Sequence, residues 1–296
     1  MKVMMGEREL ELGGRYLGTL RDATDLRHDV EALHARLEEE GYLLIRGFHD
    51  PARVREARRV VVENLAANGQ IDKSRPLDEA VIAPGGRGLF LGGSRAVTRT
   101  PEFQGLVESP ELFGFFERLL GGPVTTFSHK WLRAVGQGQN TGAHLDIVYM
   151  GRGTDRLYTV WTPLGDISYE MGPLAVFAGS HRLRRVKETY GRLDVDRDEV
   201  AQGWFSNDPV ELVERYGGRW LSAEFAMGDA MIFGMYLMHG SLNNSTGRFR
   251  LSCDTRYQRA DELLDDRWVG ENPKGHTERN PADLISMAEA RLRWGV

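Results

Sequence analysis

The sequence predicts a mostly β fold with flanking helices, a double-sheet barrel or sandwich, and three observations lead there. From Val124 onward short β-rich runs recur: VTTFSHKWLRAV, HLDIVYM, LYTVWTPL, LAVFAG, AMIFGMYLMH and FRLSCDTRYQ, set apart by Gly, Asn or Pro turns. Short runs with turn residues between them mark a sandwich or barrel, not alternating strand-helix units. The opening third shows helical spacing instead. Glycine is plentiful, 35 residues against 11 prolines, and has no collagen-like or linker-like period, which implies many turns and close backbone approaches.

Taken in order, Asp25 to Glu40 places Leu26, Val30, Leu33 and Leu37 at helical spacing, and Gly41 stops the helix. GYLLIRGF, residues 41–48, reads as a short strand. Pro51 opens a second helix to about Ala67, with Val54, Ala57, Val61 and Leu65 on one face. These segments form a helical cover over residues 25–68. Residues 83–94 (APGGRGLFLGGS) lack the spacings of a phosphate-binding loop and of a dinucleotide fold, and read as a flexible loop. Pro110 to Leu120 is a short helix closed by Gly121 and Gly122. An acidic, partly helical insertion at about 185–220 interrupts the strands. The polar final segment, Asp261 to Val296, contains a short apolar helix near Leu284 to Trp294 that either covers the barrel or meets another subunit, so monomer and homo-oligomer both stay open. With no internal repeat and no linker between the halves, residues 1–296 read as a single domain.

Composition narrows the function. Hydrophobic residues make up 41% and charged residues 27% of the 296 positions, as in a globular chain with a sizeable core. The net charge of −5 is dispersed, which argues against nucleic acid and for a small-molecule partner. Cys253 is the single cysteine, so a disulfide framework and a multi-cysteine metal site are excluded and a reducing compartment fits. Met1 to Leu12 lacks the apolar stretch of a signal peptide, and no run approaches the roughly 18 apolar residues of a membrane span. A cytoplasmic location without membrane contact is the expectation.

The sharpest local feature is His144-Leu145-Asp146. On a strand the side-chain period is two, so His144 and Asp146 are expected on one face with Leu145 on the other. His239, at the end of a separate apolar run, supplies a third ligand. Two imidazoles and a carboxylate on one face of an octahedron leave three positions for an oxidisable co-substrate and dioxygen on iron(II). Taken alone, HxD is a weak signal, since a hydrogen-bonded sheet histidine and a turn carboxylate explain it equally well. Arg250 changes its weight. It lies beyond the turn-forming segment GSLNNSTGRF, on a strand returning toward the metal. A guanidinium holds the remote carboxylate of a dicarboxylic co-substrate through two parallel hydrogen bonds.

His144-x-Asp146, residues 157–181 (LYTVWTPLGDISYEMGPLAVFAGSH), GDAMIFGMYLMHGSLNNST (228–246) and RFRLSCDTRYQ (248–258) together resemble the phytanoyl-CoA dioxygenase family. The likeness runs over about residues 25–260 and includes the first helix and GYLLIRGF. It implies a double-stranded β-helix, also called a jelly roll and cupin-like, that binds iron(II) and uses 2-oxoglutarate and O2 as co-substrates. It implies that His144, Asp146 and His239 ligate the metal and that Arg250 anchors the far carboxylate. Ser241 resembles a family position holding the same carboxylate, and Trp161 one lining the co-substrate pocket. Relatives that transfer halide lack the carboxylate ligand. Asp146 is present, so hydroxylation or a related C–H oxidation is implied.

Other residues are candidates of lower specificity. Lys130 could touch the co-substrate carboxylate, and His129 could face the pocket; a structural or surface role is equally open for both. Asn140 and Thr141 could orient a ligand or a water. Tyr149, Arg152, Arg156 and Trp204 are candidate substrate contacts, although charged and aromatic loop residues are common for ordinary reasons. The histidine at the position of His181 closes a structural turn in the family. Gly172-Pro173 and Gly228-Asp229 read as turns, with Asp229 as a turn cap. Arg182, Arg184, Arg185 and Lys187 could bind an acidic group but are more simply a solvated edge. Rival readings are a metal-dependent lyase or isomerase on the same fold, and a non-catalytic small-molecule-binding module. Neither needs the full set of His144, Asp146, His239 and Arg250.

Overall fold

The computed structural model describes residues 1–87, 89–90, 95–277, 280 and 283–296. Beside a two-stranded sheet of Lys2–Met5 and Arg8–Glu11, two larger sheets organise these residues. The larger has seven strands, ordered Tyr42–Ile45, Ala230–Gly234, Tyr158–Pro163, Arg250–Arg259, Trp131–Val135 and Leu89–Phe90, with Val124–Thr126 also paired to Arg250–Arg259. The smaller has four, ordered His239–Ser241, Leu174–Phe177, Trp220–Ser222 and Leu17–Thr19.

Alternation along the central strands decides what lies on each face. Tyr42, Leu44, Trp161, Met231 and Phe233 meet Leu174, Val176 and Leu221 of the smaller sheet in one buried cluster. Their sequence neighbours Leu43, Ile45, Val160, Ala230 and Ile232 point the other way, onto Leu33, Phe115, Phe116 and Leu119 of the helices. Helix Pro51–Ala67 covers the rest of that outer face with Val54, Val61 and Leu65, against Leu132, Leu251 and Cys253.

Sequence punctuation sets the helix ends. Asp29 caps helix Val30–Glu40 by accepting from the Ala32 amide, and Gly41 closes it at φ 83°. Pro51 stands at the first position of its helix behind the Asp50 cap, and Gly121 closes Pro110–Leu120 at φ 70°. The first helix is shorter than its periodicity suggests, because a separate 3-10 turn, Thr24–Leu26, takes up its expected start. Gly172 requires its glycine: φ is 74°, and a Cβ would stand 2.6 Å from the Leu242 carbonyl oxygen.

The expectation of a mostly β, double-stranded β-helix or jelly roll is not met. Helical residues outnumber strand residues among those described, the two sheets share no strand, and neither closes into a barrel, so the fold is mixed α/β. The apolar runs suggest longer strands than the chain forms. VTTFSHKWLRAV splits into Val124–Thr126 and Trp131–Val135, and the run toward His239 breaks after Gly234. In HLDIVYM, Asp146 adopts helical angles, φ −64° and ψ −28°, and starts helix Ile147–Met150. The glycine-rich segment 83–94 lies partly outside the described residues. The insertion supplies helix Pro209–Tyr216 and the final segment helix Met287–Trp294. No described helix is long and apolar enough to cross a membrane.

Asp229 is a buried tie between the turn before Ala230–Gly234 and the end of Tyr42–Ile45. It accepts from the amides of Gly47 and Ala226 at 3.0 and 2.9 Å and from Arg46 Nη1 at 2.6 Å. Asp229→Ala strips two part-buried amides of their acceptor. We expect a loss of about 1–3 kcal/mol in urea unfolding, whereas Asp229→Asn, which keeps an acceptor, should lose less.

Candidate metal centre

The centre starts from a backbone pairing. His144 donates its amide to the His239 carbonyl at 2.9 Å, and His239 donates back at 3.0 Å, so both residues present their side chains on the same face. The imidazole centroids lie 4.2 Å apart. Gly240 permits the approach: a Cβ there would stand 2.7 Å from the Thr141 carbonyl oxygen. Asp146 reaches the same point from the first turn of helix Ile147–Met150. Its Oδ1 is 3.8 Å from Nε2 of His144 and 3.7 Å from Nε2 of His239. One ligand atom from each residue lies within 4.8 Å of the other two, and all three residues are buried. Same-face convergence therefore comes from a bridge and a helical turn, not from the period-two strand expected across His144 and Asp146.

Protonation suits a divalent cation. Nδ1 of His144 donates to the Gly142 carbonyl and Nδ1 of His239 to the Leu237 carbonyl, each at 2.9 Å, which leaves both Nε2 lone pairs facing inward. Burial, reinforced by the neighbouring His239, pushes His144 down to about 3, and burial lowers His239 as well. Burial alone would raise the Asp146 carboxyl, but Arg256 and the two imidazoles outweigh it and hold the group well below the usual carboxylate range. Two neutral imidazoles and one carboxylate are the donor set of an iron(II) site with open positions.

Beside the triad a small cavity is lined by Arg133, Trp161, Leu174, Ser241, Arg250 and Asp254, among others. Arg250 is 1% exposed; its Nη1 donates to Ser252 Oγ at 2.6 Å, and its Nε has no partner. Burial and the nearby Arg133 lower it to about 9, so it stays cationic at neutral pH. An unpaired buried N–H on a charged side chain is costly unless a ligand satisfies it. The residues present therefore fit a carboxylate guest. Ser241 Oγ accepts the Thr141 amide at 2.9 Å, tying this wall to the arm that carries His144.

A second cavity of about 830 Å3 also reaches His144 and Asp146 and is walled by Trp131, Tyr149, Met150, Trp204 and Trp268 with His129, Arg133, Arg256 and His276. His129, Asn140, Thr141, Tyr149 and Trp204 all line it. Lys130 does not. It is fully buried just ahead of strand Trp131–Val135, bonded to the Phe127 carbonyl at 2.6 Å and paired with Glu108 at 2.8 Å. Arg133, within that strand, lines the cavity instead. Arg152 is held by Asp194 and Arg156 by Glu262, outside both cavities. His181, in the 3-10 turn Ser180–Arg182, bonds the Glu38 carbonyl and so ties that turn to helix Val30–Glu40. Arg182 bonds the Glu38 and Glu39 carbonyls and Arg184 pairs with Glu188, while Lys187 lies over the Tyr236 ring.

Sequence reasoning missed Trp131, Arg133, Arg256, Trp268 and His276. Arg256 carried a signal: Arg250, Ser252, Asp254 and Arg256 form a polar row at period two in a strand whose other face is Leu251, Cys253 and Tyr257. Trp268 and His276 come from the final segment. It is fastened by Arg267, which pairs with Asp265 at 2.5 Å and with Asp196, while Asp196 also meets His276 Nδ1 at 3.0 Å.

Comparison with known proteins agrees with this geometry. The chain is 29% identical over 253 residues to 1-deoxypentalenic acid 11-beta-hydroxylase of Streptomyces exfoliatus, covering 81% of this chain and 84% of that one. Its fold is similar to EctD from S. alaskensis, TM-score 0.57 at 21% identity over 90% of this chain and 93% of that one. It is also similar to the non-heme alpha ketoglutarate dependent epimerase SnoN from nogalamycin biosynthesis, TM-score 0.57 at 18% identity over 85% and 96%. The model of the family described as phytanoyl-CoA dioxygenase (PhyH) matches residues 37–252. That span covers the triad and Arg250, and the chain belongs to the phytanoyl-CoA dioxygenase family, as an enzyme that uses iron(II) and 2-oxoglutarate.

Proposed function

We propose that the chain hydroxylates, or oxidises in a related way, a C–H bond of a compact metabolite with a largely apolar body, and that His144, Asp146 and His239 hold the iron. The observation that carries this reading is the pairing of the buried triad with Arg250, which lines a cavity shared with His144 and His239 and has an unpartnered Nε. A lyase or isomerase that takes no 2-oxo acid has no use for that buried cation.

Iron(II) with 2-oxoglutarate supplies a two-electron oxidation in which O2 gives one oxygen atom to succinate and the other to the product, with carbon dioxide released. The protein's part is positional. Arg250 takes the far carboxylate of 2-oxoglutarate and so fixes which end points at the triad, and Ser241 and Trp161 line the same recess. Trp131, Trp204, Trp268 and Tyr149 exclude water from the substrate cavity and offer flat apolar contact. Trp268 Nε1 is buried without a partner and suits an oxygen on the substrate. The Streptomyces exfoliatus relative is named as a hydroxylase of 1-deoxypentalenic acid, which supports a small organic substrate here.

Arg250→Ala should weaken 2-oxoglutarate binding by roughly two orders of magnitude, as expected for lost charge-assisted hydrogen bonds, while metal affinity changes little. Calorimetric titration of the metal-loaded protein reads this directly, and unchanged 2-oxoglutarate affinity would remove Arg250 from its role.

A second expectation concerns pH. Metal binding needs neutral imidazoles, and a pair of ordinary histidines near pKa 6.5 would lose roughly tenfold in affinity between about pH 7.5 and pH 6. His144 is held at about 3, and burial lowers His239 as well, so protons compete less across that window than they would with ordinary histidines. Cobalt(II) affinity should change by less than about twofold over it; a tenfold fall would contradict the buried neutral pair.

A further inference from the structure

Asp146 gives its two oxygens to different neighbours. Oδ1 faces the two imidazole nitrogens at 3.8 and 3.7 Å, whereas Oδ2 accepts from Thr159 Oγ1 at 2.5 Å and meets Arg256 Nη2 at 3.1 Å. Thr159 and Arg256 are register partners on adjacent strands, so both donors approach the carboxylate from one wall of the larger sheet. Arg256 has little freedom to withdraw. It is 1% exposed, its guanidinium lies 4.6 Å from the centre of the Trp131 ring, and its Nε lies 3.1 Å from Met150 Sδ.

We propose that Arg256, together with Thr159, is a positioning residue that restricts Asp146 to one metal-bound oxygen. The inference rests on the metal reading above. A carboxylate free to place both oxygens on a six-coordinate ion occupies two positions and, with two imidazoles, leaves two. A chelating 2-oxo acid fills both, and none remains for dioxygen. With Oδ2 tied to Arg256 and Thr159, Asp146 takes one position and three stay open. The arrangement also explains why a full guanidinium is buried beside a metal ligand: a buried arginine must have an anion, and here the anion is the carboxylate whose orientation matters.

Manganese(II) is a suitable probe, because its bound exchangeable waters can be counted by electron paramagnetic resonance in isotopically labelled water, with no turnover required. The unaltered protein and Arg256→Lys, which keeps a cationic donor, should each carry three such waters, and Arg256→Met should carry two. Circular dichroism and the unfolding midpoint establish that the variant is folded; if Arg256→Met does not fold, the shorter, neutral Arg256→Gln is read in the same way. A folded variant that keeps three waters overturns the proposal. Manganese(II) that fails to bind the unaltered protein, or binds His239→Ala equally well, overturns the metal reading instead.

Discussion

The reciprocal hydrogen bonds between the backbones of His144 and His239, 2.9 and 3.0 Å long, set the geometry on which the rest of the site depends. They join two segments far apart in the chain, place both rings on one side, and leave each ring's Nδ1 a local carbonyl to bond. Backbone bonding is an economical device here, since it fixes ring position without relying on long side chains that would lose rotamer freedom. Ser241 and Thr141 extend the same contact toward the co-substrate recess, and Gly240 lets the strands come close enough for it to form.

The second organising feature is the inward row of strand Arg250–Arg259. Four polar residues at period two would be a heavy desolvation cost in an ordinary core. Each is matched here: Arg250 with Ser252 and an open recess, Asp254 with Arg133 at 2.7 Å, and Arg256 with Asp146. The opposite face of the same strand is conventional packing onto helices, with the Tyr257 ring stacked on Phe116 at 4.5 Å. One strand thus anchors the fold with its odd residues and carries the chemistry with its even ones.

The parts of this arrangement that were legible in the sequence are those written in local pattern. Gly41, Pro51, Gly121 and Gly172 state their own backbone requirements, whereas the caps at Asp29 and Asp50 were not singled out, and reading the first helix from Asp25 placed Asp29 inside it. The triad and Arg250 could be singled out because residue chemistry restricts what such a set can do. Architecture was less legible: apolar runs such as HLDIVYM fit strand and buried helix equally, and tertiary contact tips Asp146 into helical angles. Register was harder still, which is why Lys130 stood where Arg133 belongs; a strand beginning at Trp131 rather than Val124 changes which residues face inward. Trp268 and His276 lie in a polar tail without periodicity, and the Arg267 ion pairs, with the His129 amide bonded to the Trp268 carbonyl, bring that tail to the cavity.

The most direct test of the centre is an anaerobic titration of the protein with iron(II) and 2-oxoglutarate, following the weak visible charge-transfer band that arises when a 2-oxo acid chelates iron(II). A band that saturates at a single equivalent of each, and is absent from His239→Ala, is the predicted result. Iron(II) bound tightly with no band on addition of 2-oxoglutarate would contradict the assignment of the co-substrate to the recess between the triad and Arg250.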